Sequence, residues 1–184
     1  MLIGVKTVIC VKPREVDIHV SGSILDWGVW EENVVGVMKM MDEYKEAVFL
    51  DIGANIGMYT VMVAAMGRKV IAVDPVLSNL ALIHNSLSRV NNNDMVSLIN
   101  NPIRYIQALV LLLQILDSDK RSVYFPVTPD NANEGGTKLV PEHLINKEHL
   151  ISGSVVESIT LQDLILFSKA HTAIIKMDVE VRCK

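Results

Sequence analysis

The densest group of residues able to do chemistry is Asp51-Ile52-Gly53-Ala54-Asn55-Ile56-Gly57. Its glycines let the backbone turn sharply and approach a ligand closely, and a helix beginning just after them offers free N–H groups and a partial positive charge. A carboxylate-bearing small molecule suits such a turn. The spacing is G-x-x-x-G, not the G-x-G-x-x-G of dinucleotide binders, whose second glycine admits the pyrophosphate, and this weighs against a nicotinamide cofactor. Asp74 closes the next apolar run, 23 residues after Asp51, where a carboxylate can accept hydrogen bonds from both hydroxyls of a ribose. Asp178 and Glu180 close a later run, repeating the pattern of an apolar strand that delivers carboxylates at its C-terminal end. The competing readings are plain ones. Gly53 and Gly57 would serve a tight turn, Asp51 and Asp74 would cap helices, Asp178 and Glu180 would sit at a solvated strand end, and His84 would lie on a helix surface. What favours a site is that the glycine turn and the acidic strand end fall in one βαβ unit.

These residues need elements to hold them. Ala47 to Leu50 and Lys69 to Val73 are short β-branched or apolar runs without period-2 alternation, which is how buried parallel strands read. Met58 to Met66 is rich in helix formers and stops at Gly67; Leu80, Ile83, Leu87 and Val90 recur at helical spacing before Asn91-Asn92-Asn93. The run Met95 to Ile99 supplies a third strand and Ala173 to Met177 a fourth. Val34, Met38 and Met41 predict a helix between Glu31 and Lys45 that covers the sheet. Thr160 and Asp163 form a capping-box pattern for a helix from Leu161 to Ser168, with Ile159 and Leu164 as its hydrophobic staple. Residues 121 to 159 read as loop with short strands. Met1 to Val11 reads as a strand candidate, and Ile103 to Leu116 would be apolar on all sides if helical and so must be buried. The class is α/β: a doubly wound, mostly parallel sheet with helices on both faces.

With 184 residues, half of them apolar, the chain has the material for one domain: an N-terminal strand and helix region over 1–45 and a core over 46–180. A net charge of −4 offers no footprint for nucleic acid. Cys10 and Cys183 have no metal-ligand spacing and are too few to staple a fold of this size. The longest uncharged stretch, Tyr105 to Leu116, falls short of the roughly 20 residues that cross a bilayer as a helix. No targeting signal is legible, which leaves the cytoplasm as the expected compartment.

Asp51-Ile-Gly-Ala-Asn-Ile-Gly57, Asp74-Pro75 and Ile175-Lys176-Met177-Asp178-Val179-Glu180, in that order, resemble the FkbM family of S-adenosylmethionine-dependent methyltransferases. Gly28-Val29-Trp30-Glu31 and Gly135-Gly136 extend the resemblance to roughly residues 20 to 180. It implies a Rossmann-like class I methyltransferase fold with S-adenosyl-L-methionine across the C-terminal edge of the sheet. Asp51, Gly53, Asn55 and Gly57 would surround the methionine part, and Asp74 would hold the ribose. Asn100 and Asn101 would line the adenine side, and Asp178 and Glu180 would lie beside the transferring methyl group and an acceptor, whether small molecule, glycan or lipid.

In relatives of that family the acidic pair is followed by glycine, a helix and further strands, whereas Glu180 here is followed by four residues, so the resemblance implies a sheet lacking its last strands. The fourth strand would then be an apolar edge prone to self-association. A non-catalytic methyltransferase-like binding module, or a non-functional fragment, is the alternative to methyl transfer to oxygen.

Overall fold

The computed structural model describes residues 5–101, 103–104, 123–127, 138–141 and 156–178. Its centre is a sheet of four parallel strands: β1 (Val48–Ile52), β2 (Val70–Val73), β3 (Val96–Ile99) and, far along the chain, β9 (Ala173–Met177), in the order β3-β2-β1-β9. β1 is central, with Leu50 opposite Ile71 on one side and Ile175 on the other. The two central strands lack polar alternation because both their faces are covered. Phe49 and Ala72 look towards one layer of helices, Leu50, Ile52, Ile71 and Val73 towards another.

The first layer consists of α2 (Asn33–Glu43), α3 (Met58–Ala65) and α4 (Leu77–Ser88). Each buries the stripe its spacing predicts: Val34, Met38 and Met41 from α2, and Leu80, Ile83 and Leu87 from α4. α3 is buried nearly all round, from Met58 to Ala64. The opposite face carries α5 (Leu161–Ser168), which buries Leu164 against Leu50 and Ile52. Its first turn is fixed by Thr160 and Asp163, each side chain accepting the other's backbone N–H at 2.9–3.0 Å, with Ile159 and Leu164 in the same apolar cluster. Helices on both faces of a parallel sheet make this an α/β, Rossmann-like fold. The described residues also include a parallel pair, β4 (Ile103–Arg104) with β8 (Ile159–Thr160), and an antiparallel trio in the order β6-β5-β7; these are β5 (Val123–Val127), β6 (Lys138–Pro141) and β7 (Val156–Glu157).

Two expectations are corrected. Residues 5–11 form no strand. Ile9 and Val11 pack instead against the apolar cluster of Ile56 and Met58, and the Cys10 N–H donates to Ser86 Oγ of α4 at 2.8 Å. An apolar segment can cover helices as well as extend a sheet, and here α1 (Val20–Trp27) and α4 claim it. Ile103 and Arg104 are strand, not helix, while 105–116 lie outside the described residues. Among the described residues no helix is long and apolar enough to cross a membrane.

The chain order forces a switch point. From β1 the chain moves outwards through β2 and β3, then returns to the other side of β1 as β9, so the loops leaving β1 and β9 diverge around one crevice. Gly53 lies at its floor with φ of 72°. A Cβ there would run into the backbone carbonyl oxygen of Asp178. Gly28 has a similar φ of 75° but nothing within 4 Å of a Cβ. Gly28→Ala therefore isolates the backbone cost, about 1 kcal/mol. Gly53→Ala adds displacement of a strand end and is expected to cost at least about 3 kcal/mol in urea unfolding. Equal costs would show that β9 yields freely.

Candidate functional site

The crevice gathers most of the residues singled out by sequence. β1 ends in Asp51 and Ile52, and the chain then turns through Gly53, Asn55 and Gly57, all left-handed, with φ of 72°, 52° and 87°. The turn is pinned at three points. The Gly53 and Ala54 N–H groups donate to Val73 O of β2, the Asn55 N–H donates to Asp74 Oδ2 at 2.8 Å, and the Gly57 N–H returns to Ala54 O. A Cβ at Gly57 would lie 2.5 Å from Ile83 Cγ1, so glycine here lets α4 press against the start of α3.

Asp51 is fully buried and serves α3. Its Oδ2 accepts the Thr60 hydroxyl, from the first turn of α3, at 2.6 Å. Burial pushes its carboxyl above the ordinary range, opposed first by the Lys176 charge and then by Thr60. Lys176 Nζ stands 3.6 Å from Asp51 Oδ1, an ion pair and not a hydrogen bond, and donates at 2.7 Å to Gly53 O. It also lies 3.7 Å from Asp178 Oδ2 and 5.4 Å from the centre of the Tyr59 ring. One ammonium thus ties β9, β1, the glycine turn and α3 together. Asp178 N–H donates to Ile52 O, while its own side chain is 69% exposed at the crevice mouth.

Asp74 ends β2 and is 5% exposed. Its carboxylate accepts from the N–H groups of Asn55 and Val76 and from the Asn79 amide, so it fastens the β1 turn to the start of α4. Burial pushes it from the ordinary 3.8 up to about 6, against those three bonds and the nearby charge of Lys12. Asn100 donates its amide to Asp74 O at 3.0 Å and so borders the site. Asn101 does not: its amide turns away to Glu157 O at 2.7 Å. His84 is exposed on α4, and Glu180 lies outside the described residues.

Four contributors were given no role of their own from sequence, though Glu31 and Lys176 stand within the quoted motifs. Lys176 had a legible signal, a single cation in an apolar strand two residues before Asp178, since a cation inside a sheet needs a partner. Thr60 and Tyr59 had none, and the pairing of Tyr59 with Glu31 depends on which elements meet. The Tyr59 hydroxyl donates to Glu31 Oε2 at 2.6 Å, joining α3 to the segment between α1 and α2. Burial and then the Glu31, Asp51 and Asp178 carboxylates push the Tyr59 hydroxyl well above its usual range, so it stays a donor. Above the turn lies a cavity of about 30 Å³, walled by Val20, Trp30, Glu31, Asn55, Tyr59 and Asp178 among others. A groove of about 510 Å³ runs beside it between α2 and β9.

Two outcomes are expected. Asp74 holds its proton more tightly folded than unfolded, so stability should fall by about 3 kcal/mol as pH rises from about 4 through about 6, and level off above. Urea midpoints across that range should show the decline in the parent chain and a smaller one in Asp74→Asn, where Asp51, also held above its ordinary range by burial, remains. Lys176→Met leaves the buried Asp51 without its cation and should cost about 3 kcal/mol, over half of it recovered by adding Asp51→Asn. Additive costs in that cycle would mean the pair is not coupled. No family model matches the sequence and no curated protein matches it, so its own geometry is what speaks for the site.

Proposed function

We propose that the chain is an S-adenosyl-L-methionine-dependent methyltransferase of the class I kind that transfers a methyl group to oxygen. The observation that carries the reading is the meeting of a left-handed glycine turn, the N-terminus of α3 and an acidic strand end at the switch point of a parallel sheet ordered β3-β2-β1-β9. The resemblance of residues 51–57, 74–75 and 175–180 to the FkbM family points the same way.

The residues present suit the donor. Asn55 Oδ1 is buried and has no hydrogen-bond partner among the described residues, an acceptor awaiting an N–H or O–H. Asn55, the Gly53–Gly57 backbone and the first turn of α3 would hold the amino-acid end, where the helix terminus favours a carboxylate. Asp74 already accepts three bonds, which leaves about one of its roughly four acceptor positions for a ribose hydroxyl. Asp51, having no exposed surface, supports the turn from behind.

When bound, the donor supplies a methyl group already activated on sulfonium. The chain has to align an acceptor with that methyl, exclude water and take up a proton. Asp178 is positioned for the last task, its exposed carboxylate held beside Lys176 at the mouth of the crevice. Glu180 is a second candidate base. The acceptor, small molecule, glycan or lipid, would approach over β9.

A second reading has its own support. β9 pairs only with β1 among the described residues, and Ile175 and Met177 on it are 42% and 39% exposed. Such an edge suits a non-catalytic module that associates with itself. Light scattering distinguishes the two: a monodisperse monomer weighs against association, and an oligomer dispersed by Ile175→Lys supports it.

Calorimetric titration with S-adenosylmethionine and S-adenosylhomocysteine, with NAD as control, tests the first. Saturable binding of both is expected, with affinity reduced about tenfold or more by Asn55→Ala, the size of a hydrogen bond left unmade. Heat with NAD alone would reverse the reading.

A further inference from the structure

The cavity over the glycine turn does not match the site around it. At about 30 Å³ it has room for one or two waters, whereas a ligand carrying a nucleoside needs roughly 300 Å³ or more. The groove between α2 and β9 reaches about 510 Å³. Glu31, Tyr59, Lys176 and Asp178 line both. Lys176 and Asp178 belong to the sheet and its end, and Tyr59 to a buried helix. Glu31 alone of the four stands in a linker, the stretch between the end of α1 at Trp27 and the start of α2 at Asn33. Among the described residues one side-chain hydrogen bond ties that linker to the sheet layer, Tyr59 Oη to Glu31 Oε2 at 2.6 Å, and Val29 packs half-buried against the apolar clusters beneath.

We infer that the linker from Gly28 to Glu32 is a gate over the glycine turn, latched by the Tyr59–Glu31 hydrogen bond, and that its opening merges cavity and groove into one site large enough for a nucleoside-bearing ligand. The hinge is in place at Gly28, which caps α1 in a left-handed conformation with open space around it. Trp30, next to Glu31, is 38% exposed and walls the cavity, so it swings with the latch. Opening leaves the sheet intact, because the turn is held from below by Val73, Asp74 and Lys176. It uncovers Asn55, whose buried amide oxygen has no partner among the described residues. The identity of the incoming ligand rests on the methyl-donor reading; the gate does not.

The test uses the full chain with Trp27→Phe, which leaves Trp30 as its one tryptophan. Tyr59→Phe and Glu31→Gln are added separately, and acrylamide quenching of Trp30 is measured alongside the association rate and affinity of S-adenosylhomocysteine. A lost bond to a charged acceptor should raise the open population about tenfold. Quenching should therefore rise in Tyr59→Phe, and less in Glu31→Gln, which keeps an accepting oxygen. Association should quicken by a similar factor. Unchanged quenching in both variants overturns the gate, whether or not the ligand binds. Raised quenching with no binding in any form keeps the gate and removes the methyl-donor reading. Should Tyr59→Phe fail to fold by circular dichroism, Glu31→Gln decides by the same criteria.

Discussion

Where β1 runs out, the backbone carbonyl of Asp178 occupies the space a side chain on residue 53 would need. That approach lets β9 stay in register with β1 over its whole length, from Val48 opposite Ala173 to Ile52 opposite Met177. It also brings Lys176 within 2.7 Å of the Gly53 carbonyl. With a larger residue at 53 the strand end would splay and the ammonium would leave Asp51, stripping a buried carboxylate of its countercharge. The crevice and its charges rest on that missing Cβ.

The charges near this contact are arranged to offset one another's burial. Asp51 has no exposed surface, and a lone carboxylate there would be costly. It is tolerated because the Thr60 hydroxyl gives it a hydrogen bond and Lys176 a countercharge. Asp74, one strand over, is treated differently: it has three donors and the charge of Lys12, and burial still holds its proton to about 6. Two acidic strand ends that look alike in sequence thus do different work. Asp51 binds an anion-seeking helix terminus to a cation, while Asp74 stitches a turn to the next helix.

Much of the frame was legible because it depends on short-range pattern. Unbroken apolar runs marked β1 and β2, the i, i+4, i+7 stripe of Val34, Met38 and Met41 marked α2, and Thr160 with Asp163 marked the start of α5. The glycine turn was legible too, since positive φ at 53 and 57 selects glycine. Residues 5–11 were misjudged because period and polarity do not say whether an apolar segment extends a sheet or covers a helix. Asn100 and Asn101 were named together, but only Asn100 borders Asp74, because a one-residue step at a strand end sends the side chain the other way. The Tyr59–Glu31 and Lys176–Gly53 contacts span 28 and 123 residues, and no local pattern encodes such meetings.

The position of β9 also has a kinetic side. β1, β2 and β3 are joined by short helical connections and can assemble from neighbouring chain, whereas β9 must close a loop of more than a hundred residues before its pairing with β1 is rewarded. The carbonyl of Gly53 and the carboxylate of Asp51 therefore wait for Lys176 through the early stages of folding. During synthesis the central strand emerges long before its last neighbour, with one edge open to any other extended segment. A chaperone that shields β1 until residue 177 has left the ribosome would guard the step on which the crevice depends.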